Sequence, residues 1–269
     1  MSPEEIIRIK DLLPTDLGSD ELREQVAVDI LRRSIFSARM ENLRYLATIR
    51  DVCAEIAGGA INQAEARAHL LADLERMGHS PIDGGGITNP ASLKRLDLII
   101  DTQRQMAASV ANMAAETPAT LEEWPAVELT RFVGRGVPRQ DWADRWQAAG
   151  DAVGWEGAAR EAGGFPDWRM VALKGSPIWQ ALGDGAGGYR DTLGNPFPPF
   201  AFGSGLAWAD VSRDEAIELG LIDAGEGERP REPPEAPSLS PSESDIADAV
   251  SRLGFDDDVF GDLFSDLAG

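Results

Sequence analysis

Gly194-Asn195-Pro196-Phe197-Pro198-Pro199-Phe200-Ala201-Phe202-Gly203-Ser204-Gly205 is the stretch around which this chain is organised. It reads as a loop. Pro196, Pro198 and Pro199 fix φ and remove backbone donors, and the flanking glycines supply the positive φ that sharp turns need. Phe197, Phe200 and Phe202 are too apolar to be left in water. The expected platform for them is the tryptophan-rich sequence on either side: Trp124, Trp142, Trp146, Trp155, Trp168, Trp179 and Trp208. Buried aromatics fill cores more often than sites. The loop therefore reads first as an internal plug, and second as a rigid partner-contact surface made of Phe197, Pro198, Pro199, Phe200 and Phe202.

Outward from the loop, the texture predicts an α+β protein, mainly α. A helical domain over residues 1–118 precedes a Trp/Pro-rich α+β domain over 119–222. In the first, Leu12 to Asp16 reads as an arm against something apolar, and Ser19 or Asp20 as the cap of the next helix. Leu22, Val26, Ile30, Phe36, Met40, Leu43, Leu46, Ile49, Cys53 and Ile56 recur mostly at three or four residues. That spacing predicts one long helix, or two nearly continuous ones, stopped at Gly58-Gly59. A helix capped by Asn62 follows to Met77 and ends at Gly78, and Gly84-Gly85-Gly86 reads as a flexible joint. Asn89-Pro90 is expected to open a third, of some 27 residues and roughly 40 Å, running to Glu116. That length suits a stalk or hairpin, with a long core helix as the alternative.

In the second domain, Val127–Val133 and Trp168–Leu173 read as strands, and Gln140–Ala149 as a short helix carrying Trp142 and Trp146. Ser176-Pro177 starts another, and Ser212 with Glu215 predicts a capping box. Residues 223–242 are mostly Gly, Glu, Pro, Arg and Ser and read as a disordered linker. Beyond it, 243–269 reads as an acidic amphipathic tail. Phe260, Leu263 and Phe264 there are the expected anchor on a partner.

Charge narrows the partners. The chain has 25 Lys and Arg against 46 Asp and Glu, a formal charge of −21. From Asp223 onward stand 13 acidic and 3 basic residues, so this last part carries −10 of it. Direct nucleic-acid binding by the folded body is disfavoured, with Arg32, Arg33 and Arg39 as a local basic exception. No apolar run is long enough for a membrane span, and the start lacks a signal-peptide pattern. Cys53 alone makes no disulfide and reads as a small buried hydrophobe. His69 and His79 do not have metal spacing, so neither metal nor cofactor is expected.

No nucleophile elbow or Walker sequence is present, and Gly183 to Gly188 lacks the strand-to-helix context of a dinucleotide loop. The enzymatic alternative is a carboxylate-dependent cell-wall hydrolase using Glu122 or Glu123 with Asp141 or Asp144. It requires two carboxyls facing one cleft. A cytosolic adaptor with a docking tail is the other alternative.

Arg95, Ile99 and Thr102 match part of a helical motif, Arg-x-x-x-Ile-x-x-Thr, with Gln103 where an acid is usual. Ala172-Leu173-Lys174-Gly175, and Pro198-Pro199 before Phe202-Gly203-Ser204-Gly205, look like counterparts of two further family segments. On these residues the chain resembles the minor head, or head morphogenesis, proteins of tailed bacteriophages typified by the F protein of phage Mu, in a divergent prophage branch. The family's histidine and paired cysteines are missing, which removes any metal or disulfide role. The resemblance covers roughly residues 10–222. It implies a non-enzymatic virion protein that associates with portal, capsid or scaffold proteins, in the host cytoplasm during assembly and in the virion afterwards, as an oligomer on the portal.

Overall fold

A computed structural model describes residues 1–79, 89–132, 140–155 and 169–223. The expected joint at Gly84-Gly86, Trp168, most of the linker, and the tail with Phe260, Leu263 and Phe264 lie outside the described residues. The class is mainly helical α+β.

The N-terminal half opens with a short helix. α1 (Pro3–Arg8) starts at a complete capping box, in which Glu5 accepts from Ser2 N and Ser2 Oγ accepts from Glu5 N. β1 (Asp11–Leu12) then pairs in parallel with β2 (Ser34–Ile35). This pairing corrects the long-helix expectation. The periodic stretch from Leu22 to Ile56 is divided into α2 (Ser19–Gln25), α3 (Val28–Arg33), β2 and α4 (Leu43–Ala57). Ser34 and Ile35 are drawn out of helix to meet β1, and Arg39 takes a positive φ of 57° before Asn42 caps α4. Gly18, not Ser19 or Asp20, holds the cap position of α2, where Glu21 accepts from its N–H.

α5 (Gln63–Arg76) follows the expected boundaries, with Asn62 as cap. α6 (Leu93–Ala115) begins later than Asn89-Pro90 suggested, because Ser92 Oγ takes the capping bond from Arg95 N while Asn89 makes its own turn to Ala91 N. It is a core helix: its buried residues, among them Leu96, Ile100, Met106 and Val110, share one cluster with α1, α4 and α5. The stalk expectation is corrected by this burial. Cys53 is wholly buried there, and burial pushes its thiol up to about 12.

The C-terminal half begins with α7 (Pro118–Glu123) and builds an antiparallel sheet in the order β4 (Val171–Leu173), β3 (Ala126–Arg131), β5 (Leu206–Val211). α8 (Trp142–Ala152) and α9 (Ile178–Gly183) bring Trp142, Trp146, Trp179 and Leu182 into one cluster with Val127, Leu129 and Leu206 of the sheet. A smaller cluster holds Ala126, Val171 and Val211 with Ala216 of α10 (Arg213–Glu218). Ser212 caps α10 as expected, whereas the Glu215 carboxylate goes to Arg169 instead of closing a box.

Candidate functional site

The loop at 194–205 joins the two halves, and its aromatics part company. Phe200 follows the expectation: it stacks on Trp179 with ring centroids 5.9 Å apart and meets Trp208 edge-on at 6.3 Å. Trp146 and Trp155 extend the same cluster. Phe197 does not join them. Its side chain is wholly buried in the N-terminal cluster with Ile7, Leu46 and Val110. The tryptophan platform is thus corrected for Phe197, and also for Trp124, which is exposed at 37%. Two residues, Pro198 and Pro199, separate Phe197 from Phe200, and the peptide that joins the two prolines is cis. Trp208 on β5 packs against both clusters.

Pro198 and Pro199 are buried with the two rings. Of the five residues expected at a partner surface, Phe202 is the one left half-buried, with the Arg23 guanidinium 5.9 Å above its ring. The geometry is that of an internal plug.

Two arginines from the first half hold the loop. Arg32 of α3 donates Nε to Asn195 Oδ1 at 3.1 Å and Nη2 to the Gly194 carbonyl at 3.1 Å, and its guanidinium lies 5.8 Å from the Phe197 ring. Burial lowers its pKa. Arg23 of α2 donates to the Arg190 carbonyl. α3 lies close enough that a Cβ on Gly194, already at φ 70°, would run into Val28. Neither arginine is legible as a clamp in the sequence, because the bonds of Arg32 cross 162 and 163 residues.

The C-terminal end of α9 closes on the other side. Gly194 N donates to the Gly183 carbonyl at 3.0 Å, and a Cβ on Gly183 would land on the Asn195 backbone. Gly183→Ala is therefore expected to force α9 off the loop, costing about 3 kcal/mol and lowering the thermal midpoint by roughly 10 °C. A calorimetric scan that returns the wild-type midpoint contradicts this packing.

A second cluster lies beside it. Arg145 of α8, buried, sits 4.1 Å from the Tyr189 ring centroid and 5.1 Å from that of Trp142. It pairs with Asp141 Oδ2 at 2.8 Å and Asp191 Oδ1 at 2.9 Å. Burial opposes its charge, and the bonds from Asp191 and Asp141 more than offset that, so its pKa is raised. Asp141, one of the four carboxylates named for a hydrolase, is thus engaged in an ion pair, while Glu122, Glu123 and Asp144 are exposed on α7 and α8.

Arg95, Ile99 and Thr102, the helical motif of the phage resemblance, lie on α6. Arg95 is buried and donates through Nη2 to Ser37 Oγ at 2.7 Å and to the Ala38 carbonyl, tying α6 to the segment before α4; burial lowers its pKa. Thr102 is buried and Ile99 packs half-buried against the same core. Among the described residues no group of carboxylates, histidines and cysteines has the arrangement of a metal site. His69 is exposed on α5. No helix among them is long and apolar enough to cross a membrane. No protein-family model, curated protein or solved structure matches the chain.

Proposed function

We propose that the chain is a structural protein of the tailed-phage head, a minor head protein that associates with the portal and acts in capsid assembly or in DNA packaging and ejection. The observation that supports this reading is where its motif residues lie. Arg95 and Thr102 of α6, and Pro198 and Pro199 of the loop, are enclosed in the fold, and Arg95 ties α6 to the segment before α4. Residues so placed serve an architectural part, and leave recognition to the outer surface and to the acidic tail.

On this reading Phe260, Leu263 and Phe264 anchor the chain on a portal, capsid or scaffold protein. The test is co-expression with the portal protein of the phage or prophage that carries the gene, followed by gel filtration. The full chain is expected to co-elute with the portal. Replacing Phe260, Leu263 and Phe264 together by Ala is expected to weaken that association at least tenfold, the scale of losing buried apolar anchors. Failure of the full chain to co-elute counts against the portal assignment. Undiminished binding by the triple variant counts against the tail as anchor.

A further inference from the structure

Lys10 is an anomaly in the N-terminal core. Ile6, Ile7 and Lys10 follow one another at helical spacing on one side of α1 and the turn after it, and all three are at most 1% exposed. The Lys10 Nζ donates to Gln103 Oε1 at 2.7 Å and approaches Met106 Sδ at 3.3 Å, both on α6. These acceptors are uncharged, and a thioether is a weak one. An ammonium brings three donors and a full charge, whereas a neutral amine brings two donors and matches this cage.

The remaining groups that face Lys10 do not supply a counter-charge. Cys53 on α4 is held as the thiol, and Arg32 on α3 carries the same sign as an ammonium. Among the described residues no carboxylate ion-pairs with Lys10. Burial is the first cause and Arg32 adds to it, so the amine is held down to about 7 from its ordinary 10.5.

α1 packs on α4 and α6 alone among the larger helix contacts, and β1 immediately after it stays paired with β2. Lifting residues 1–10 away therefore leaves the α4–α6 packing and the β1–β2 pair intact. A six-residue helix has no stability of its own in water, so α1 melts once it leaves.

We propose that residues 1–10 form a latch over the seam between α4 and α6, closed while the Lys10 amine is uncharged and opened when it takes up a proton. The closed latch binds fewer protons than the open one between about pH 7 and about pH 10.5, so closure strengthens as pH rises through that window and is weakest, and level, below it. Opening uncovers the apolar strip on α4 and α6 that Ile6 and Ile7 fill.

Hydrogen exchange read by mass spectrometry on the full chain tests this, with rates normalised to the intrinsic exchange at each pH. For the amides of residues 6–10 the opening equilibrium is expected to rise about tenfold per pH unit, hence about a hundredfold from about pH 9 to about pH 7, and then to level off. Lys10→Met keeps the volume, removes the proton and is expected to abolish the slope. Gln103→Leu removes the acceptor and is expected to open the latch more at every pH while keeping the slope. Three results each overturn the proposal: residues 6–10 show no slope in the wild type, Lys10→Met keeps the wild-type slope, or the α4 and α6 amides open in step with α1, which makes the event global unfolding.

Discussion

Phe197→Ala is expected to remove about 4 kcal/mol of stability, and to remove it from the half of the chain in which Phe197 does not lie in sequence. The ring is at 0% exposure among residues of α1, α4 and α6, so truncation loses its transfer free energy and leaves a cavity. Arg32 also loses the aromatic face below its guanidinium. The two halves can be followed separately. All seven tryptophans lie between residues 124 and 208, and among the described ones only Trp208 packs against the N-terminal cluster, so their fluorescence reports mainly the C-terminal half, while the long helices α4, α5 and α6 dominate the far-ultraviolet circular dichroism. In urea the wild type is expected to give coincident transitions by both probes. The Phe197→Ala helical transition is expected to move to lower urea further than the fluorescence one, because Phe200 keeps its stack on Trp179. An unchanged helical midpoint contradicts the seating of Phe197 in the first core.

The second large effect is expected at Arg145. Arg145→Ala leaves Asp141 and Asp191 without their cation and takes the planar group from between Tyr189 and Trp142. Breaking a wholly buried pair costs up to about 5 kcal/mol. Here the carboxylates stay 37% and 36% exposed and keep part of their hydration, so about 3 kcal/mol is expected. Arg145→Lys is expected to recover less than half of the loss, since an ammonium cannot hold both carboxylates in a plane while lying against two rings. Fluorescence-detected urea unfolding measures both variants. Equal stability of Arg145→Lys and wild type rules out the guanidinium's hold on both carboxylates as the source of the effect.

Much of this architecture is legible locally. Asn62 and Ser212 cap where their side chains predict, the texture changes from helical to aromatic near Pro118, and the proline loop is a loop. What fails is what depends on partners distant in the chain. The periodicity from Leu22 to Ile56 is genuine, yet Ser34 and Ile35 leave the helix for a strand partner more than twenty residues earlier. Asn89-Pro90 loses the cap to Ser92, three residues on, a competition between two good caps that local rules do not decide. The aromatic content of the loop announces burial without saying in which core, so Phe197 and Phe200 read alike and separate in space. Arg23 and Arg32 take their roles from bonds over long separations, and Arg145 adds distant Asp191 and Tyr189 to a local pair with Asp141. Lys10 had a visible signal, a lysine at the four- and three-residue spacing from Ile6 and Ile7.

Density-purified particles from an induced lysogen carrying the gene, digested and read by peptide mass spectrometry, test the assignment to the phage head most directly. Peptides from residues 1–222 are expected at low copy relative to the major capsid protein, and peptides from 243–269 report whether the tail stays in the virion. Absence of both sets from the particles, while the protein is abundant in the lysate, contradicts the assignment.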